Sequence, residues 1–261
     1  MDIVEQARKT TLALTVTSGR SGTKLLTVIL SEALRLAAEH EPPPRANFVM
    51  RSFVAAPSAA EHWLRTEKLP AMLAAAKDGF YAETSHLFCK GLIEPILALG
   101  LRPKLIILTR AARDVASSLY RMNVIPARTE AGRLVLLGPE DPGVLPLVNW
   151  RQYSDYQLCY WYAREIERRQ TLYSELASNI HLQYLRIAML DLKHPETIET
   201  LARFFGVTID DQAFVRQAAI LAQNQNSRLA ASGFSEERPL PLKLGEEEAE
   251  VDAVVLPPPS G

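Results

Sequence analysis

The sequence predicts an α/β protein of three layers, with a central, mostly parallel sheet covered by helices on both faces. Three observations carry this prediction. Short apolar runs with strand character alternate with segments of helical periodicity, the pattern of a chain built from β–α–β units. The two clearest runs, residues 12–16 and Lys104–Thr109, are mostly apolar, the second with Leu-Ile-Ile-Leu at its centre, as buried strands are. Between the first strand and the first helix lies a tight corner with two glycines, Gly19 and Gly22.

Residues 12–16 read as the first strand, rich in branched side chains and closed by a Ser-Gly turn. Leu25, Leu26, Ile29 and Leu30 recur at helical spacing and predict a helix over 23–34. The Glu-His-Glu-Pro-Pro-Pro run at 39–44 must break it, because proline biases the preceding residue away from helix. Residues 60–78 read as helix, Phe80–Glu83 as a short strand and 91–99 as a helix closed by Gly100 and Pro103. Lys104–Thr109 is the strongest strand, followed by a helix over Ala112–Arg121. Residues 123–147, with several Gly and Pro, read as a long loop. A long aromatic helix is expected over 149–176, a strand over 181–186, a helix over Glu196–Phe205 stopped by Gly206, and another over 210–223. From Ser232 the chain turns rich in Pro, Gly and Glu. The expected organisation is one domain over 1–231 and an extended or disordered tail over 232–261.

The chain has 261 residues, 48% of them apolar, enough for one α/β domain with a sizeable core. A formal net charge of −1 excludes a generally basic nucleic-acid platform, so an anion site must be local. Cys89 and Cys159 sit in apolar sequence without metal-ligand spacing and read as buried thiols in a reducing compartment. The apolar run after the charged N-terminus is too short for a signal core or a membrane span, so a cytoplasmic location is expected.

The corner reads Thr17-Ser18-Gly19-Arg20-Ser21-Gly22-Thr23-Lys24-Leu25. Its glycines let backbone N–H groups approach an anion, and the helix N-terminus adds its positive end. Arg20 brings charge and donors, and Ser21 and Thr23 bring hydroxyls. The plainer reading is a corner that needs glycine for geometry alone. A nucleoside-triphosphate loop needs Gly-Lys-Ser/Thr, whereas here Gly22 is followed by Thr23 and then Lys24.

The corner does resemble the 5′-phosphosulfate loop of sulfotransferases that use 3′-phosphoadenosine 5′-phosphosulfate (PAPS), and with it the P-loop type of α/β fold. That loop is a basic residue followed by Ser/Thr-Gly-Thr-Thr. The resemblance assigns the loop Ser18, Gly19, Arg20, Ser21, Gly22, Thr23, Lys24 and Leu25 to donor binding. It puts Arg20 at the position that stabilises the bridging oxygen and Thr23 at the threonine that binds the 5′-phosphate. Lys24 stands where the family usually has a second threonine, which keeps a donor but changes the contact.

The family's second motif is an arginine at the end of an apolar strand with a serine eight residues later, for the 3′-phosphate. Arg110 and Ser118 match it, in Leu-Ile-Ile-Leu-Thr-Arg followed by Ala-Ala-Arg-Asp-Val-Ala-Ser-Ser. An arginine fork suits a phosphate dianion, and the carboxyl edge of a sheet is where α/β folds bind ligands. A weaker third match runs from Leu185 to Asp191 and on through Pro195 to Phe204-Phe205-Gly206, so that the resemblance spans most of 12–206. It implies PAPS as co-substrate, adenosine 3′,5′-bisphosphate as product and no metal. The acceptor would be a small molecule or carbohydrate carrying a hydroxyl or an amine, with neither nucleic acid nor a membrane span involved.

Sulfuryl transfer needs a base for the acceptor proton and charge stabilisation on the leaving oxygen. Arg20 is the candidate for the second task. For the first, Tyr81-Ala82-Glu83-Thr84-Ser85-His86 resembles the Phe-Glu-Lys-Ser segment of heparan N-sulfotransferases at Glu83 and, within one residue, the Lys-Thr-His of cytosolic sulfotransferases at His86. Glu41, in His40-Glu41-Pro42, matches the acidic base of bacterial trehalose-type sulfotransferases. The order of preference is Glu83, then Glu41, then His86. The strand carrying Glu83 is expected beside the one carrying the 3′-phosphate motif. Trp150, Tyr153, Tyr156, Tyr160, Trp161 and Tyr162 read as core, with Trp150 and Tyr153 as candidate acceptor-lining residues. Residues 224–228, Asn-Gln-Asn-Ser-Arg, lie where the family closes over the nucleotide. Two alternatives remain at this level: a P-loop phosphotransferase or nucleotide kinase, and a non-catalytic nucleotide-binding module of the same fold. The first would need a carboxylate at the strand end where Thr109-Arg110 stands.

Overall fold

The structure is a computed structural model and describes residues 2–48, 50, 56–223 and 238–255. Helix α1 (Ile3–Arg8) precedes β1 (Thr11–Val16), and α2 (Thr23–Val28) runs on as a π-helical turn over Ile29–Ala33. After the short β2 (Ala38–Glu39) come α3 (Pro57–Trp63), a π-helical turn over Leu64–Lys68 and α4 (Leu69–Ala75). Then follow β3 (Phe80–Glu83), α5 (Ile93–Ala98), β4 (Lys104–Thr109), α6 (Ala112–Arg121) and α7 (Glu130–Val135). The long α8 (Asp155–Asn179) leads to β5 (Tyr184–Ala188), α9 (Glu196–Phe205), α10 (Asp211–Ala222) and α11 (Leu244–Val255).

The five strands form one sheet in the order β2-β3-β1-β4-β5, with every pairing parallel. The three-layer α/β architecture expected from the alternation of elements is therefore present. Alternate residues of each strand face opposite layers. Leu12, Leu14, Val16, Leu105 and Ile107 pack against residues of α1, α4, α5, α6 and α8. Ala13, Ile106, Leu108, Phe80 and Ala82 face α2, α9 and α10. Phe80 and Phe205 meet edge to face there, with centroids 5.2 Å apart.

From β1 the chain goes to the edge strand β2, returns to β3 between them, then crosses to β4 and β5 on the other side. The strand order thus reverses between β1 and β4, and the crevice at their carboxyl ends is where open α/β sheets take ligands. The same order corrects one expectation: β3, which carries Glu83, lies beside β1 with Leu14 opposite Glu83, not beside β4. The neighbour rule is a tendency, and the central position of β1 overrides it here.

Three further readings are corrected. Residues 123–147 are not all loop, since α7 forms within them, with the Thr129 hydroxyl accepting from the Gly132 N–H at 3.1 Å. Six residues are too few for apolar periodicity to announce a helix. The expected tail over 232–261 contains α11, which packs on α8 and buries Glu248, Val251 and Val255. Its acids are held by partners on other helices. Glu248 forks Arg113 of α6, at 2.9 Å from Nε, and accepts from the Tyr156 hydroxyl at 2.6 Å. Tyr160 donates to Asp252 at 3.0 Å and Gln157 to Glu250 at 2.6 Å. Composition reads such a run as solvated because it cannot show where partners lie. The last strand also starts later than expected, because Leu182 N–H returns to the Ala177 carbonyl and His181 takes a left-handed φ of 55° to close α8.

Candidate active site

The corner after β1 is stapled to its neighbours by short polar contacts. Thr17 donates to the Leu108 carbonyl at 2.7 Å, and Gln170 of α8 reaches the carbonyls of Val16 at 3.3 Å and Leu108 at 2.9 Å. On the other side Thr15 donates to the Ser85 carbonyl at 2.9 Å. The hydroxyls of Ser18 and Ser21 are spent on each other at 2.5 Å. Arg20 and Gly22 both have left-handed φ, 69° and 83°. Alternation of this kind turns successive N–H groups towards a common concavity, which favours an anion. Gly22 also caps α2, and a side chain there would sit 2.8 Å from Met189 Cγ, so both backbone and space require glycine. Thr23 is buried in the first turn of α2, whereas Lys24 is exposed and Leu25 half-buried.

The two motifs, far apart in sequence, meet in space. Arg20 Nε donates to the Ser118 hydroxyl at 3.1 Å, and Arg110 Nη1 donates to the carbonyl of Arg20 at 2.5 Å. Arg110 Nε lies 3.9 Å from the Asp114 carboxylate and is buried without a hydrogen-bond partner among the described residues. An unpaired guanidinium N–H at the strand-end crevice is a donor in want of an acceptor. Beyond Arg110, a cleft of about 650 Å³ opens between β4, β5 and α8, with Arg164, Arg168 and Arg186 in its wall.

The three base candidates gather on the opposite flank, at the carboxyl ends of β2 and β3. His86 packs on the loop itself: a side chain placed on Gly19 would lie 3.6 Å from its Nδ1. His86 Nε2 is 3.4 Å from Glu41 Oε1, and Nδ1 is 2.6 Å from the ammonium of Lys90. Burial, then the charges of Lys90 and His40, hold His86 well below the usual histidine range. Glu83 is 3% exposed and ion-pairs with Lys68 at 2.8 Å. It also accepts from Tyr81 at 3.4 Å. Desolvation raises its carboxyl to about 7, against the opposing pull of Lys68. Lys68 in turn donates to the carbonyls of Pro42 at 3.3 Å and Pro44 at 3.1 Å, tying the proline run over this flank.

Arg20, Arg110 and Ser118 are thus brought together, and Glu41, Glu83 and His86 form a second cluster against the same loop. Lys68, Tyr81 and Lys90 were not anticipated from sequence. The one signal for Lys90 was its place four residues after His86. Tyr156, Tyr160, Trp161 and Tyr162 are buried core, while Trp150 and Tyr153 are half-buried. Residues 224–228 lie outside the described residues. Among the described residues no helix is long and apolar enough to cross a membrane.

Comparison of the whole fold with solved structures bears on this arrangement. The chain resembles a sulfotransferase domain from the curacin biosynthetic pathway, with a TM-score of 0.52 and 17% sequence identity. The likeness covers 94% of this chain and 97% of that one. No protein-family model matches the chain, and no curated protein matches it in sequence. The protein therefore has a sulfotransferase-like fold.

Proposed function

We propose that this protein is a sulfotransferase that moves a sulfuryl group from PAPS to the hydroxyl or amine of a small molecule or carbohydrate. The observation that carries the reading is the junction of the two phosphate motifs, Arg20 with Ser118 and Arg110 with the Arg20 carbonyl, at the crevice where the strand order reverses. The residues fit the donor. The loop N–H groups and Thr23 would take the 5′-phosphate, and Arg110, whose Nε is buried and unpaired, would take the 3′-phosphate beside Ser118. PAPS, when bound, supplies the sulfuryl group and leaves as adenosine 3′,5′-bisphosphate. Arg20 stands where negative charge would develop on the leaving oxygen.

The acceptor proton needs a carboxylate with a free face. The Nδ1 lone pair of His86 is engaged by Lys90, and Glu83 is engaged by Lys68 behind a nearly closed surface. The Glu41 side chain is 24% exposed and is held from one side by His86. This proposal therefore gives the base role to Glu41 and revises the order read from sequence, because only the fold showed which carboxylate is open. Glu83 then serves to hold Lys68 and, through it, the proline run.

The test is binding of adenosine 3′,5′-bisphosphate by calorimetry in the presence of EDTA. Binding in that buffer supports the reading. A chain that ignores the bisphosphate but binds ATP with magnesium refutes it.

A further inference from the structure

Lys90 is fully buried directly under the phosphate loop. It ends the 3₁₀ turn Phe88–Lys90, and the contacts of its ammonium include His86, Val135 and Tyr162. It lies 2.6 Å from His86 Nδ1, donates to the carbonyl of Val135 at the end of α7, and sits 5.2 Å from the ring centroid of the buried Tyr162. An ammonium has donors and no lone pair, so the His86 nitrogen facing it must accept. A neutral imidazole that accepts at Nδ1 carries its proton on Nε2, and here Nε2 faces Glu41.

We propose that Lys90 is a positioning residue that fixes the Nε2–H tautomer of His86 and so aims that N–H at Glu41. This deepens the sulfotransferase reading and rests on it for its catalytic meaning. The Nε2–H of His86 faces one oxygen of Glu41 at 3.4 Å and leaves the other for the acceptor proton. The charged and titratable groups facing His86 are Lys90 from its own segment, Glu41 and His40 from the chain after β2, and Cys89, whose thiol donates to the His86 carbonyl at 3.5 Å. The neighbour on its other face, Gly19, brings no charge. Lys90 is the group in this set that dictates the tautomer, because Glu41 alone would equally accept a proton from a doubly protonated ring.

The experiment is long-range proton–nitrogen NMR on the ¹⁵N-labelled full chain, with His86 assigned by its absence in His86→Asn. The expected wild-type pattern at pH 7.5 is a single neutral tautomer with the proton on Nε2, unchanged in Glu41→Gln. Lys90→Met should lose that pattern, giving mixed tautomers or a ring that protonates between pH 5.5 and 7.5. Lys90→Arg, which keeps a donor, should retain it. A proton on Nδ1 or a charged ring in the wild type overturns the proposal, even if Lys90→Met fails to fold. So does a Lys90→Met spectrum identical to wild type. Because these readings need no substrate, they stand apart from bisphosphate calorimetry on the same samples, whose failure would sink the sulfotransferase reading and not the tautomer.

Discussion

At the residue scale, the site depends on a few side chains whose partners are unequal in strength. Among the described residues Arg110 donates to the Arg20 carbonyl, and its Nε, 3.9 Å from Asp114, has no hydrogen-bond partner. Hydrogen bonds to charged groups are worth about 1.5–3 kcal/mol. Arg110→Ala should therefore weaken adenosine 3′,5′-bisphosphate by roughly 10- to 100-fold and leave adenosine 5′-phosphosulfate, which lacks the 3′-phosphate, nearly unaffected. Equal losses for both ligands in calorimetry would assign Arg110 another task. Glu41→Gln keeps shape and removes basicity. A positioned general base contributes about 10²–10⁴-fold, so release of bisphosphate from PAPS in the presence of acceptors should fall at least about 100-fold with bisphosphate affinity intact. Glu83→Gln, in the same assay, should fall less. Glu83 has a separate signature in stability. Its folded-state value of about 7 lies above the usual 4.5, so folding favours the protonated form. That contribution is complete below about pH 4.5 and is lost as pH rises through about 7. At about 1.4 kcal/mol per unit it amounts to about 3 kcal/mol. Urea midpoints measured from pH 4.5 to 7.5 should decline in wild type more than in Glu83→Gln, and parallel curves would show that Lys68 keeps the carboxylate ionised throughout.

At the element scale, α11 shows how charge can make a helix part of the core. The helix presents Val251 and Val255 inward, yet most of its specific contacts are from acids to Tyr156, Gln157, Tyr160, Arg113 and Arg164. Glu248→Ala would leave the O–H of the fully buried Tyr156 without its acceptor, with Ser117 still donating to the phenol oxygen. Stranding a buried polar group costs about 1–3 kcal/mol, so the thermal midpoint should drop by several degrees. Glu248→Gln, which can still accept, should lose less. A midpoint unchanged in Glu248→Ala would mean that α11 rests lightly on α8. The same end of α8 is fixed by a capping box, with Ser154 accepting from the Gln157 N–H at 3.1 Å and the Gln157 side chain accepting from the Ser154 N–H at 2.8 Å. That box holds in place the helix from which Gln170 braces β1 and β4 under the loop.

At the scale of the whole molecule, the reversal of strand order sets the division of labour. Arg110 and Ser118, the residues proposed for the donor, lie on the β1–β4 side of the loop and the candidate bases on the β1–β3 side, so on this proposal a donor and an acceptor would approach from opposite flanks. A ligand that binds only the folded state raises the melting temperature, by about 2.7 kcal/mol of stability at a hundredfold excess over Kd. Adenosine 3′,5′-bisphosphate should give such a shift with or without EDTA. A shift that vanishes when EDTA is added would point to a metal-dependent nucleotide enzyme on the same fold.

The amino-acid sequence determined the class of fold and the strands β1, β3 and β4 almost to the residue, because buried strands declare themselves as short continuous apolar runs. It also made the two motifs proposed for phosphate legible, since a glycine corner and a strand-end arginine are local features. The tertiary structure decided what depends on proximity between distant segments. It placed β1 between β3 and β4, so that Glu83 lies beside β1, opposite Leu14, and not beside the Arg110 strand. It gave Glu83 to Lys68 and His86 to Lys90, and left Glu41 as the open carboxylate. It turned an acid-rich C-terminal stretch into a docked helix by supplying tyrosines and arginines from α6 and α8. Desolvation and hydrogen-bond partnership are properties of the folded neighbourhood, and no spacing along the chain encodes them.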